Sequence, residues 1–574
     1  MTSGADSVSV AMVGSGGAGV LTTGEMLLEA ACAAGWNGLL TRSVGPQIRG
    51  GEAASLLRLA RAPVECMADQ FDLLVGIDWV NAGRFGDEIA LGETSILVCD
   101  PAAGPPPPMA AKARHVIELP LTEIGKAQPT WRANMIALGA AGSLLGLEQA
   151  ALHGVISKRF ASKGEPIVAA NVAAAAAGAR AVESQRGRVG LAPAARTADG
   201  RWLITGNEAI ALGAVQGGVR FAAAYPITPA SDILEWLAPN LAKIGGTLVQ
   251  AEDELASINM IIGASYGGVP SLTATSGPGL SLMIESLGLA TAAEVPIVIV
   301  DVMRGGPSTG IPTKSEQTDL NIAIYGMHGD APHLVIAPQS VSDCWLSGQW
   351  ATGLAEALQT PTIVLSDQFL GQARTAIGRP TAAPPAARRR SAAAGESRYL
   401  RYALCDDGVS PMAVPGTPGC AYTADGLTHT ESGTPTSGAR DHIAQLDKRR
   451  DKLDQYAFGP LWATIEGEGP VAVLTWGSLT GVAREGIAQA RADGIAARLI
   501  APRLLLPTRP DEMRAALAGV ERVLVVEQSH GAQFLKYLRA HYDLPARVSV
   551  LHRPGPLPIR PNEVRRRLLE GEAR

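Results

Sequence analysis

Short apolar runs, each followed by a segment of helical period, recur along most of the chain. "VSVAMV" (8–13), "DLLVGID" (72–78) and "SILVCD" (95–100) have the near-continuous apolar character of strands buried in a parallel sheet. "TTGEMLLEAACAAG" carries a helical period after the first of them, and the alanine-rich helical stretch "NVAAAAAGARAVES" closes a block over 1–185. "QRGRVGLAPAARTADGRW" then reads as linker. Alternation is clearest over 200–378, where "FAAAYP", "GTLVQAE", "PSLTATS" and "VPIVIVDV" read as strands between helical segments. That order predicts an α/β fold built on a doubly wound parallel sheet. Residues 379–467 begin with low-complexity "RPTAAPPAARRRSAAAGE" and continue through a Gly-, Pro-, Ser- and Thr-rich connecting stretch over 405–436. Strand-like runs return in a fourth segment, 468–574, with "VAVLTWGS", "AARLIAP", "RVLVVEQS" and "RVSVLH".

At 574 residues the chain exceeds what one core holds, so several domains are expected. Hydrophobic residues make up 47% and aromatics 4%, which suits Ala/Gly-mediated helix-on-sheet packing better than a β-sandwich. A net charge of −5 without long basic runs argues against a non-specific nucleic-acid binder. The start lacks the basic-then-apolar order of a signal peptide, and no apolar run reaches membrane-spanning length, so a cytoplasmic protein without membrane association is expected. The six cysteines contain no C-x-x-C pair, which predicts mostly reduced thiols and no iron–sulfur cluster on this chain.

Four loops carry candidate chemistry. "VGSGGAGV" (13–20) fits G-x-G-x-x-G through Gly14, Gly16 and Gly19, between a strand and a helix. The acid that a nicotinamide dinucleotide site wants about 20 residues on is missing; Arg42 stands there. This loop is compatible with a nicotinamide cofactor, with another phosphate-bearing ligand such as coenzyme A, and with a tight structural turn. "SVGPQIRGGEA" (43–53) is a second glycine-bent loop and carries Arg49. "AAYPITPASD" (223–232) is either a plain strand-to-helix connection or a rigid turn aiming Thr228 into the cleft at the strand's carboxyl end. In "VQAEDELASINM" (249–260), Glu252, Asp253 and Glu254 are either helix-capping acids or include a carboxylate held in a low-dielectric site for proton chemistry.

The ordered set "AAYPITPASD", "AEDELASINMIIGASYGG", "TATSGPGLSLMIESLGLA" and "VPIVIVDVMRGGPSTGIPTK" resembles the α subunits of 2-oxoacid:ferredoxin oxidoreductases, which are thiamine diphosphate enzymes. "GSGGAGV…GPQIRGG" resembles the family's γ domain, fused ahead of α. "GVSPMAVPGTPGCAYTADGLTHTESG" and "VVEQSHGAQF" resemble its connecting segment and C-terminal domain. The similarity covers nearly the whole chain and is nearest to the two-subunit 2-oxoglutarate enzymes. It implies a γ domain (1–185), a pyrimidine-binding domain (200–378), a linker and connecting segment (379–467) and a transketolase-C-terminal-like α/β domain (468–574).

The resemblance further implies a role for each matched residue. Glu254, with Glu252 as second choice, would be the carboxylate that hydrogen-bonds the cofactor's aminopyrimidine ring. Tyr225, Pro226, Ile227 and Gly277 would line the cofactor. Arg304 would grip the carboxylate of a 2-oxo acid bidentately, with Thr228, Thr309 and Thr313 around the substrate. Gly14, Gly16, Gly19 and Arg49 would belong to a possible coenzyme A site in the γ domain. No G-D-G followed by a distant Asn is present, so magnesium, the diphosphate half of the cofactor and the [4Fe-4S] clusters are expected on a β subunit. The implied reaction is coenzyme A-dependent oxidative decarboxylation with electrons passed to ferredoxin, in an αβ or (αβ)2 assembly. 2-Oxoglutarate is the expected substrate, with pyruvate or a bulkier 2-oxo acid still open. A dinucleotide-dependent dehydrogenase using the 13–20 loop and a non-catalytic assembly subunit are the alternatives.

Overall fold

The computed structural model describes residues 5–45, 51–194, 200–380, 388–395 and 398–571, so Arg49 lies outside the described residues. The chain divides into two compact units. The first comprises Met1–Ile204, Ala373–Arg379 and Leu557–Glu563. Its strands are β1 (Ser7–Ser15), β2 (Asn37–Val44), β3 (Glu52–Ala60), β4 (Phe71–Gly76), β5 (Leu91–Cys99), β6 (His115–Glu118) and β7 (Arg201–Thr205). With the strand Arg374–Gly378 they form an eight-stranded sheet in which β1 lies between β4 and β3.

This sheet is mixed, and the three strands read from the sequence of this block, β1, β4 and β5, pair parallel in it. β1, β4, β5 and β6 run parallel to one another, but β3 pairs antiparallel with both β1 and β2. The glycine-bent stretch 43–53 thus leads from β2 into an antiparallel partner and not into a crossover helix. Arg374–Gly378, at the end of the expected second domain, pairs antiparallel with β2. Helices α1 (Val20–Ala33), α2 (Ala133–Leu144) and α3 (Glu165–Ala181) supply the apolar layer, with Met26, Leu27, Ile136, Leu138 and Ala174 fully buried.

The second unit comprises Thr205–Gln372, Pro380–Pro556 and Val564–Arg574. β8 (Phe221–Ala224), β9 (Thr247–Gln250), β10 (Ser271–Thr275), β11 (Val298–Met303), β12 (Leu334–Ile336) and β13 (Thr362–Asp367) pair parallel in the order β12-β13-β11-β10-β8-β9. Helix α4 (Gly206–Gly217) leads into β8, and α5 (Glu254–Tyr266), α6 (Gly277–Ala292) and α7 (Val341–Leu358) connect later strands, giving the doubly wound sheet. α4 begins with a reciprocal Thr205/Glu208 capping box. It crosses α7 so closely that a Cβ on Gly213 would lie 2.1 Å from the Trp345 carbonyl, and one on Gly348 2.4 Å from that of Ile210.

The strand Leu504–Leu506 extends this sheet antiparallel to β12, and a second, five-stranded sheet follows within 463–552. Among the described residues no helix or strand lies between Gly378 and Ala439. The stretch is nonetheless packed: Tyr402, Met412, Cys420 and His429 are buried. Gln359 Nε2 donates to the Ser410 carbonyl at 2.8 Å, and Arg389 pairs with Glu356 at 2.9 Å. Helix α8 (Ala439–Asp454) then closes over it. No helix among the described residues is long and apolar enough to cross a membrane.

Candidate active site

The carboxyl ends of β8, β9, β10 and β11 place the predicted residues on one edge of the second unit's sheet, where open α/β sheets bind ligands. After β8 the chain turns through Tyr225, Pro226, Ile227 and Thr228. Tyr225 and Thr228 are exposed. The turn is pinned from behind, because Asn207 Nδ2, at the start of α4, donates to the Pro229 carbonyl at 2.9 Å.

Between β9 and α5 the three acids take different places. Asp253 is the N-cap, its carboxylate accepting from Ala256 N at 2.7 Å. Glu252 is exposed, whereas Glu254, the first residue of α5, is 8% exposed. Capping therefore accounts for Asp253 and leaves the buried carboxylate of Glu254 for other work.

The turn from β10 into α6 touches both candidate centres. A Cβ on Gly279 would lie 2.8 Å from Glu254 Oε1 and 2.0 Å from Thr275 Oγ1. A Cβ on Gly277 would lie 2.7 Å from each carboxylate oxygen of Asp319. Neither position has room for a side chain. Glu254 and Asp319 thus lie against successive parts of one turn, 277–279.

Asp319 in turn acts electrostatically on Arg304, just past the end of β11. Arg304 is 7% exposed; Nη1 donates to the Thr228 carbonyl at 2.5 Å, and Nε finds no acceptor among the described residues. Burial lowers the guanidinium pKa and Asp319 partly offsets it. The loop after it folds back on itself: Gly305 N donates to the Lys314 carbonyl at 3.0 Å, and Ile311 N to the Gly305 carbonyl at 2.7 Å. Thr309 stands exposed on its outer turn and Thr313 is half-buried.

Sequence reasoning missed an acid pair beneath the arginine. Asp301, fully buried on β11, and Asp319 act directly on each other's ionisation. No donor among the described residues reaches either oxygen of Asp301 or Oδ2 of Asp319, which favours the protonated form of the pair. Burial pushes Asp301 well above the carboxylate range, and the Asp319 charge adds to it. Asp319 is pushed up to about 7, chiefly by burial. The only signal in the sequence was an aspartate inside the apolar run "IVIVDVM". A buried cation over a proton-holding pair leaves positive charge for an anionic ligand.

A thiamine pyrimidine ring fits this edge. The buried Glu254 carboxylate is held by a turn with no space for a Cβ, and Ser276 Oγ nearby is a buried hydroxyl without a partner among the described residues.

In the first unit the 13–20 loop turns inward. Ser15 N and Oγ donate to the Asp78 carboxylate at 2.9 and 2.8 Å, Gly16 N to the Gly51 carbonyl, and Ala18 N to the Ser15 carbonyl at 3.0 Å. Three of its amides therefore serve the fold, and a carboxylate stands beside them, where a phosphate would be repelled. Gly19 takes a left-handed φ of 81° and is crowded by Asn134 of α2. The geometry favours the structural-turn reading of this loop.

Comparison with known proteins gives the second unit its context. Residues 212–448 match the model for pyruvate flavodoxin/ferredoxin oxidoreductase, thiamine diphosphate-binding, and 9–181 match that for pyruvate ferredoxin/flavodoxin oxidoreductase. The 2-oxoglutarate synthase subunit KorA of Methanothermobacter thermautotrophicus is 35% identical over 64% of this chain and 98% of its own length. The chain belongs to the 2-oxoacid:ferredoxin oxidoreductase family. It is a thiamine diphosphate-dependent oxidoreductase by that membership. The 2-oxoglutarate oxidoreductase subunit KorA of Mycobacterium tuberculosis is 35% identical over 71% of this chain and 64% of that one. Among solved structures, 2-oxoglutarate:ferredoxin oxidoreductase from Magnetococcus marinus, with 2-oxoglutarate, coenzyme A and succinyl-CoA bound, is 34% identical. It superposes with a TM-score of 0.91, covering 99% of both chains. That chain thus shares the architecture seen here over nearly its whole length.

Proposed function

We propose that the chain is the γ-fused α subunit of a 2-oxoglutarate:ferredoxin oxidoreductase. The reaction cleaves the bond between the carboxylate and keto carbons of 2-oxoglutarate. Carbon dioxide leaves, coenzyme A takes the succinyl group, and two electrons pass through iron–sulfur clusters to ferredoxin. The observation that carries the assignment is the 277–279 turn, which touches Glu254 on one side and, through Asp319, the Arg304 centre on the other.

Thiamine diphosphate, when bound, supplies the electron sink for decarboxylation. Glu254 holds a proton at a nitrogen of its pyrimidine ring, and Tyr225, Pro226, Ile227 and Gly277 line that ring. Arg304 grips the carboxylate beside the substrate ketone with its planar fork, pre-oriented by the Thr228 carbonyl. Thr228, Thr309 and Thr313 supply hydroxyls around it. We assign Mg2+ and [4Fe-4S] to a β subunit, with ferredoxin as acceptor, αβ or (αβ)2 as the assembly and the cytoplasm as its place. The similarity to relatives named for 2-oxoglutarate supports that substrate over pyruvate.

The test is anaerobic viologen reduction by the chain purified with its co-purifying partner, on 2-oxoglutarate and on pyruvate, with and without coenzyme A. Coenzyme A-dependent reduction on 2-oxoglutarate is expected. Reduction on pyruvate alone would reassign the substrate, and none on any 2-oxo acid would remove the assignment.

A further inference from the structure

One buried cluster in the second unit holds more cation than acid. α8 sends Lys448, Arg449 and Lys452 inward, and the connecting segment adds Arg401; all four are buried. One carboxylate, the fully buried Glu294, sits among them, accepting from Lys448 Nζ at 2.7 Å and Lys452 Nζ at 2.9 Å. Arg401 Nη2 donates to the Glu294 main-chain carbonyl at 2.8 Å. Burial drives the Lys452 ammonium down to about 8; Glu294 opposes the fall, and the Lys448 and Arg401 charges add to it.

Arg449 is the exception. It is 8% exposed, yet its Nε has no acceptor, and among the described residues it forms no ion pair. Glu294 offsets only part of the cost of burying this guanidinium, and an anion at Nε would remove more of it. Arg449 lines an open pocket of about 260 Å3, bordered by the far half of α6, the 328–331 turn and the 426–428 stretch. His442, on the same wall, bonds Thr428 Oγ1 through Nδ1 at 2.8 Å, which leaves Nε2 as the ring's other polar atom. The acids here, Glu285 and Asp330, are both exposed, where water screens them, whereas the guanidinium is not. The α6 residues of this wall, 285–292, lie about 12–22 Å along the helix from the 277–279 turn.

We propose that this pocket is a second anion site, separate from the Arg304 centre, in which Arg449 binds a phosphoryl group. The planar fork of Arg449 suits a phosphate monoester, which it can grip through two oxygens, and His442 on the same helix stands ready for a third. Two sources share that chemistry: free phosphate, and the terminal phosphate of coenzyme A. The second source alone rests on the functional reading above.

The test begins with calorimetric titration of inorganic phosphate into the assembled enzyme, which needs no turnover and so stands whatever the reaction proves to be. Wild type should bind phosphate, and Arg449→Gln should bind it roughly tenfold or more weakly. If Arg449→Gln fails to assemble, His442→Ala, at an exposed position, carries the same comparison. The coenzyme arm compares KM for coenzyme A with KM for its dephospho form. Coenzyme A is the source if Arg449→Gln raises the first and leaves the second; free phosphate is the source if phosphate binding weakens while both KM values hold. Phosphate affinity and both KM values unchanged in folded, assembled variants would overturn the site and leave Arg449 to a carboxylate of the partner subunit.

Discussion

Arg304 Nη1 donates to the main-chain carbonyl of Thr228, tying the end of β11 to the turn after β8 at 2.5 Å. The bond fixes the guanidinium before any ligand arrives and leaves Nε unpaired. Losing one partner of a buried charge pair costs about 2–5 kcal/mol. Arg304→Ala should therefore raise KM for the 2-oxo acid by roughly 30-fold or more. Lys, a point charge without the fork, should recover little of this. Steady-state kinetics of both variants check the claim; a lysine variant at wild-type KM would remove the bidentate grip.

Glu254 and Glu252 should separate cleanly. Glu254 is buried against Gly279, while Glu252 is exposed and Asp253 already caps the helix. Glu254→Gln keeps shape and removes the acid, so kcat should fall by about 10²–10⁴ with the melting temperature nearly unchanged. Glu252→Gln should be silent in both measurements. Equal losses from the two variants would deny Glu254 its distinct role.

The residues that announced themselves in the sequence did so through backbone chemistry. Gly277, the Pro-bracketed Thr228 and the acid cluster all sit where a strand becomes a helix, and local rules govern such junctions. The same rules hid what depends on pairing at a distance. Nothing local marks Asp319 as the partner of Asp301, because 18 residues and the whole 305–314 loop separate them. β3 was likewise illegible, since its fully buried run makes an antiparallel strand look like a parallel one. The glycine signature at 13–20 left a phosphate ligand and a structural turn open together, and nothing local marked Asp78, 63 residues from Ser15, as an acceptor for the loop's amides.

Gly279 offers a test in which no functional group is removed. An added Cβ would lie 2.7 Å from Glu254 Cγ and 2.0 Å from Thr275 Oγ1, so the carboxylate must shift. Gly279→Ala should lower kcat at least tenfold while the circular dichroism spectrum stays wild-type, because a misplacement of about 1 Å is costly in a preorganised site. Wild-type kcat would mean that the Glu254 position is not critical.

Among the described residues Glu294 is the one carboxylate accepting from Lys448 and Lys452, and they hold it well below its ordinary range against the opposing effect of burial. Glu294→Gln leaves those ammonium groups buried without their counter-charge, a loss of about 3–5 kcal/mol. Thermal melting should show a clear drop in the transition that reports the second unit. An unchanged melting curve would mean that water or an anion already neutralises the cluster.

The acid pair sets the last expectation, a pH dependence of substrate affinity. Asp319 is pushed up to about 7 by burial, with Glu316 adding to the rise and Asp301 and Arg304 opposing it. Below about 7 both acids are protonated, so the Arg304 charge faces an incoming carboxylate unopposed. As pH rises through that value Asp319 ionises, and a negative charge appears beside the same guanidinium. The substrate must then displace or neutralise it, so KM for the 2-oxo acid should climb by up to about tenfold per pH unit above 7. The 2-oxo acid is already fully ionised there, and saturating coenzyme A keeps its thiol out of the measurement. Asp319→Asn keeps the hydrogen-bonding shape and cannot ionise, so its KM should stay flat from pH 6 to 8.5. An identical slope in this variant would place the titration elsewhere and free Arg304 from control by the pair.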